Sequence, residues 1–219
     1  MAIIEKKAYK KEILHWLGSA DEDYLAARLL LLNGYLKQGT IFSNTAIEKY
    51  LKTIIFAFGD VIPKEHDTLK LYGIVSAKAP ELKVINVGFL LLLSKAYHVR
   101  YTDQLPIGYN IHLDQIKLLA ELDRTVFILR KDFKFQTKGQ TGDKKIITRL
   151  DVEAEENNPV FLDKNIAFGD YDPIQLFKEK TTWLSLLVYE AHNIIEGMGD
   201  NEGTLDDGKF DIVGIKQGP

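Results

Sequence analysis

Apolar side chains recur at alternating steps of three and four along most of the chain, the spacing of one face of an α-helix. Leu17, Ala20, Tyr24, Ala27 and Leu31 form the first stripe and predict a helix over about 10–33. Leu25, Leu29 and Leu32 widen the stripe, so this helix is expected to bury more than one side. Asp21 and Arg28 fall on the polar remainder, and Gly34 is placed to stop the helix in the left-handed conformation. Gly18 marks a kink or a break, with Ser19 and Glu22 as a capping box if the helix restarts there. A second stripe, Ile47, Leu51, Ile54 and Phe58, predicts a helix over about 40–58 closed by Gly59. Asn44, Glu48 and Lys52 make a polar line on it, with Glu48 before Lys52 in the favourable i, i+4 order.

A short helix over about 67–78 and a fourth over about 84–101 follow, then a fifth from Asn110 to about Asp132, with Leu118, Leu122, Val126 and Leu129 inward. Past that point the helical spacing breaks. Lys138-Gly139-Gln140-Thr141-Gly142-Asp143 reads as a flexible turn. Ile146, Thr148, Leu150 and Val152 alternate as a short strand would, and Val160, Leu162, Ile166 and Phe168 predict a hairpin around 163–165. Asp172-Pro173 has the form of a helix start, and Phe177, Thr181, Leu184, Val188, Ala191 and Ile195 make a last stripe, closed by Gly197. The expected fold is all-α: an up-and-down bundle of four to six helices with a small β-hairpin insertion. Its expected divisions are a bundle core over 8–132, an insertion over 133–171, a C-terminal helix packed on the bundle over 172–197, and a loosely held acidic tail over 198–219 with Phe210, Ile212 and Val213 as its anchors.

Composition narrows the chemistry. The chain of 219 residues is 46% hydrophobic and 27% charged, enough for one large domain with a core. Its net charge of -3 argues against a uniformly basic nucleic-acid binder and leaves room for a local basic patch. There is no cysteine, which excludes disulfides, thiolate metal sites and a cysteine nucleophile. The first residues lack the apolar core of a signal peptide and no apolar run is long enough to span a bilayer, so a cytoplasmic protein without membrane contact is expected. No histidine pair has metal-ligand spacing and no Gly-rich phosphate loop precedes a helix, so no metal or cofactor is expected.

Several short motifs then fall into one order. They are Ala20-Asp21-Glu22-Asp23-Tyr24 on the first helix, Gly34-Tyr35 and Phe42, Ala46-Ile47-Glu48-Lys49-Tyr50-Leu51-Lys52, Pro63 with His66-Asp67, and Tyr97 with Arg100-Tyr101-Thr102-Asp103. This succession, from Trp16 to Asp103, resembles the HEPN family of small helical domains, with its Ala-x-Glu-Lys-x-Leu-Lys core, its Pro-x-x-His-Asp turn and its Tyr…Arg-Tyr-Pro-Asp ending. Two positions depart from the pattern: Asn44 stands near where members often have Gln, and Thr102 replaces Pro. The resemblance implies a helical bundle, frequently a homodimer, that binds or cuts RNA or pairs with a nucleotidyltransferase in toxin–antitoxin or defence settings.

The resemblance does not extend to the chemistry. Catalytic members carry an Arg followed four to six residues later by His, so that a dimer brings two such pairs to one cleft. None of His15, His66, His98, His112 and His192 has an Arg before it at that spacing. Whether the protein is an enzyme therefore stays open. The expected function is a non-catalytic, dimeric binding or partner module for RNA, a nucleotide or a nucleotidyltransferase. The alternatives are a divergent metal-independent ribonuclease, with Arg100, His98 and His66 as its candidate catalytic groups, and a structural assembly protein. The candidate binding set is Glu48, Lys52, Tyr97, Arg100, Tyr101 and Asp103, with Arg for phosphate and Tyr for stacking. The competing expectation is a structural knot in which Arg100 pairs with Asp103 or Glu48, while Glu48 and Lys52 form a solvated ion pair. One further basic stretch, Arg130, Lys131, Lys134, Lys138, Lys144, Lys145 and Arg149 with Phe133 and Phe135 interleaved, is either a nucleic-acid-facing arm or is neutralised by the acids of 151–163.

Overall fold

The computed structural model describes residues 7–131, 136–139, 142–145, 148–190 and 193–201. Helix α1 (Lys7–Leu32) runs unbroken through Gly18, so it does not restart there. Its Leu17, Ala20, Tyr24, Ala27 and Leu31 are at most 1% exposed, which confirms the stripe. Gly34 has a φ of 79° and turns the chain into α2 (Leu36–Ala57). The two helices pack closely at Gly39, where a Cβ would meet the Leu31 side chain at 2.6 Å. Gly59, at a φ of 83°, ends the second helix as expected.

Helix α3 (Thr68–Lys78) is capped by Asp67, whose side chain accepts from the Leu69 and Lys70 amides. Helix α4 (Val87–Tyr97) is capped by Asn86 and is shorter than its stripe predicted. From His98 to Arg100 the chain tightens into a 3-10 turn. Asn110 does not cap the next helix; it opens strand β1 (Asn110–Asp114), and Asp114 caps α5 (Gln115–Arg130) by accepting from the Lys117 amide.

The region after α5 differs most from expectation. A hairpin does form, but it pairs β2 (Gln136–Gly139) with β3 (Gly142–Lys145), earlier than predicted. The expected strand 146–152 is largely helix α6 (Arg149–Glu155), set by a capping box between Thr148 and Asp151. The expected hairpin at 160–168 is replaced by α7 (Pro159–Leu162) and turns, because Asn158 and Pro159 start a helix. Helix α8 (Pro173–Leu176) begins where Asp172-Pro173 predicted, but it lasts one turn.

The predicted C-terminal helix over 172–197 is a strand pair, β4 (Thr181–Glu190) and β5 (Asn193–Asn201). Leu184 and Val188 fit a helical stripe, but Leu184, Leu186 and Val188 fit an alternating strand equally well. The Thr, Trp, Val and Tyr content of 181–190 favours the strand. Part of the expected tail, Met198–Asn201, belongs to β5; Phe210, Ile212 and Val213 lie outside the described residues. The sheet has the order β1-β4-β5, all antiparallel, and turns Ile111, Leu113, Leu184, Leu186 and Val188 inward. These join the core of α1 to α5, and Leu176 with Ile116 and Ala120 forms a smaller cluster beside it. The fold is thus a mostly helical bundle with a small antiparallel sheet at one side. No described helix is long and apolar enough to cross a membrane.

Candidate functional site

Two buried ion pairs tie α1 to the later half of the chain. Arg28 lies against Asp123 with both side chains fully buried, and its remaining donors reach the carbonyls of Val160 (2.8 Å) and Asp163. The Tyr24 hydroxyl donates to Asp123 at 2.8 Å, and the Asn165 amide donates to Tyr24 at 3.2 Å. Burial pushes the Asp123 carboxyl up while Arg28 opposes it, and burial beside Asp123 holds Tyr24 protonated well above its ordinary range. In the second pair Arg130 meets Asp21, which also accepts from the Tyr50 hydroxyl at 2.6 Å. Arg130 then donates to Thr148 Oγ1 at 2.9 Å. Asp21 and Arg28, placed on a polar side by their spacing, are therefore interior, because α5 to α7 cover that side. Apart from Asp21 Oδ2, which is buried without a hydrogen-bond partner, the charged groups of both networks are engaged within the chain, as in a structural network.

The polar line of α2 is also interior. Glu48 and Lys52 are 7% and 6% exposed, which corrects the expectation of a solvated pair. Glu48 Oε1 accepts from Lys52 Nζ at 2.8 Å and lies 2.9 Å from His66 Nδ1, while Thr68 donates to Asn44 at 3.3 Å. His66 caps this pair from the α2–α3 turn with its own ring largely in solvent. Glu65 stiffens that turn: the Asp67 amide first, then the Lys70 ammonium and the His66 amide, hold its carboxyl down at about 2. Glu48 is thus engaged by Lys52 and His66, not by Arg100.

Arg100 has different neighbours. Its guanidinium carbon sits 3.5 Å from the Tyr97 ring centroid and 5.3 Å from that of Tyr101, and its Nε donates to the Tyr97 carbonyl at 3.3 Å. Among the described residues no carboxylate forms an ion pair with it, Asp103 included. His98, Arg100, Tyr101 and Asp103 are all exposed. Nearby, Lys95 lies over the Tyr109 ring at 5.1 Å, and Tyr109 OH donates to the Lys95 carbonyl at 2.7 Å. The structure therefore divides the candidate residues into a buried pair, Glu48 and Lys52, under the exposed His66, and an outer set, the half-buried Tyr97 with the exposed His98, Arg100, Tyr101 and Asp103. No hydrogen bond or ion pair among the described residues joins the two.

Sequence spacing missed a third grouping. On the outer face of the sheet His112 Nδ1 is 2.6 Å from Ser185 Oγ, and its ring stacks on Trp183 at 5.8 Å. Burial lowers the imidazole's pKa. Only the β1–β4 register brings these residues together, and helical spacing concealed it. The basic stretch is partly spent within the chain, with Arg130 on Asp21 and Arg149 on Glu153. The side chains of Lys134, Lys138, Lys144 and Lys145 lie outside the described residues. No group of His, Asp and Glu placed to hold a metal occurs among the described residues.

The molecule is a helical bundle opened by a long α1–α2 hairpin, with the exposed Arg100 and Tyr101 in the turn after its fourth helix. The family described as HEPN domain matches residues 13–122, half of the chain, and the chain belongs to that family. No curated protein matches the chain, and no solved structure does.

Proposed function

We propose that this HEPN domain is a dimeric binding module that engages RNA or a nucleotide, alone or with a nucleotidyltransferase partner, and does not cleave what it binds. One observation carries the reading: Arg100 is exposed, its guanidinium carbon 3.5 Å from the Tyr97 ring centroid, flanked by the exposed Tyr101, and without a carboxylate partner among the described residues. A guanidinium held on aromatic rings keeps its outward N–H groups for phosphate, and the neighbouring ring offers a base a stacking surface. Family membership supports a nucleotide- or RNA-associated role. Against catalysis stands the spacing of the chain, in which no histidine follows an arginine at the interval the family's ribonucleases use.

The ribonuclease alternative rests on His98 standing two residues from Arg100 with both exposed. One experiment separates the two. A labelled single-stranded RNA and a set of nucleotides are titrated against the protein at low salt in EDTA, with the RNA then run on a gel. Binding that weakens in Arg100→Ala, with the RNA intact, supports the module. Cleavage lost in Arg100→Ala supports the ribonuclease. If neither binding nor cleavage is seen, the structural assembly role remains.

A further inference from the structure

Among the described residues the sheet ends in an open edge: β5 pairs only with β4, and one side of Asn193–Asn201 has no backbone partner there. Proteins usually blunt such edges with short strands, charged side chains, prolines or bulges. This strand is nine residues long without Lys or Pro, its acids Glu196 and Asp200 are paired with Lys37 and Lys180 of the same chain, and it exposes Ile195 (56%) and Met198 (66%). A line of unpaired backbone groups is complementary to one thing, another extended strand.

We propose that the partner strand is β5 of a second copy, added antiparallel about a two-fold axis at Gly197, so that the two sheets become one continuous sheet. Three features of the strand fit its own reverse. With Gly197 opposite its equivalent, Ile195 falls opposite Gly199 of the other copy. There the strand has no side chain, and the Trp183 indole lies across the gap: a Cβ on Gly199 would meet it at 2.9 Å. The exposed Ile195 of each copy would therefore pack on the other's Trp183. The charges also agree. Glu196 is opposite Met198 and Asp200 opposite Ile194, so no acid faces an acid. Both acids are already neutralised within their own chain, Glu196 by Lys37 at 2.9 Å and Asp200 by Lys180 at 3.0 Å. Finally, positions opposite each other across this two-fold axis share one parity, so Ile195, Gly197 and Gly199 of both copies fall on the Trp183 face.

This inference takes up the dimeric part of the reading above and gives it a surface; it does not depend on Arg100. The chain has no cysteine, so single cysteines report cleanly. A Cβ on Gly197 would touch Trp183 at only 3.5 Å, an ordinary contact, so Gly197→Cys should fold. Val61→Cys, at the opposite end of α2 from the Lys37–Glu196 contact, is the control. The proposal expects a dimer by sedimentation equilibrium, a disulfide-linked dimer from Gly197→Cys and none from Val61→Cys under mild oxidation. It also expects a dimer weakened about tenfold or more in Ile195→Lys, an edge charge of the kind that blocks strand addition. A dimer that forms no Gly197 cross-link and survives Ile195→Lys overturns the proposed surface and leaves the dimeric reading standing. A monomer overturns both.

Discussion

At the scale of single residues, the interior carries more charge than an ordinary bundle core. Arg28 and Asp123 share one fully buried pair, so removing one partner strands the other. Arg28→Met is expected to cost about 3–5 kcal/mol, while Arg28→Met with Asp123→Leu recovers most of it, because the uncompensated charge is gone. Chemical denaturation of the two variants checks this. Glu121 is a different case. It is 3% exposed, and neither of its carboxylate oxygens completes a hydrogen bond of ordinary geometry. Burial raises its pKa, and Asn86 and Arg124 only partly oppose this. The native state thus holds a proton that the unfolded chain releases at lower pH. Stability from this group falls as pH rises from the ordinary carboxylate range through the raised value, and the cost is complete above it. Glu121→Gln should therefore melt higher than the parent at pH 8, with the difference vanishing at low pH; an equal gap at both would show that the carboxyl does not titrate as described.

These residue-scale features were poorly legible in the chain. Periodicity located the apolar stripe of α1 correctly and placed Asp21 and Arg28 on its polar side, without showing that this side is interior. A stripe records which side is apolar. It does not record whether a later segment will cover the polar side with matching donors and acceptors, and here Asp123, Arg130, Val160 and Asp163 do so.

At the scale of elements, turns with strong local chemistry were legible and ambiguous apolar runs were not. Gly34, Gly59, Asp67 and Asp172-Pro173 all act where local preference places them. The segment 181–195 satisfied helical and alternating patterns at once, and tertiary pairing with β1 decided for the strand. Gly197, expected as a helix stop, and Gly199 instead leave room for Trp183 across β5. Gly199→Ala is accordingly expected to destabilise the protein by about 1–3 kcal/mol through overpacking against the indole, with a change in Trp fluorescence. Gly73→Ala, where nothing lies within 4 Å, should show neither effect. At α2 the line Asn44, Glu48 and Lys52 was visible as a line, but its burial under the His66 turn was not.

For the whole molecule, the helical bundle and the HEPN family were both readable from motif order, since the family's short motifs fall within 13–122. The sheet and the helices beyond α5 were not, because nothing in that motif order describes them. Leu150, Phe161, Leu184 and Val188, which lie beyond the expected bundle core, share the apolar cluster of α1 and α2. If the end of that core were a true domain boundary, a fragment ending at Arg130 would fold cooperatively alone. The burial of Arg28 and Arg130 by later segments predicts that it will not, and thermal melting of that fragment would show it.

The proposed binding of RNA or a nucleotide at Tyr97, Arg100 and Tyr101, without cutting, is tested most directly by fluorescence anisotropy with a labelled single-stranded RNA and with nucleotides in EDTA at low salt, comparing the parent with Arg100→Ala and following the RNA on a gel. The expected result is saturable binding of at least one of these ligands, an affinity about tenfold lower or worse in Arg100→Ala, as expected for losing about 1.4 kcal/mol or more of contact, and RNA of unchanged length. RNA cleaved by the parent and spared by Arg100→Ala, or ligand binding that Arg100→Ala leaves untouched, would contradict it.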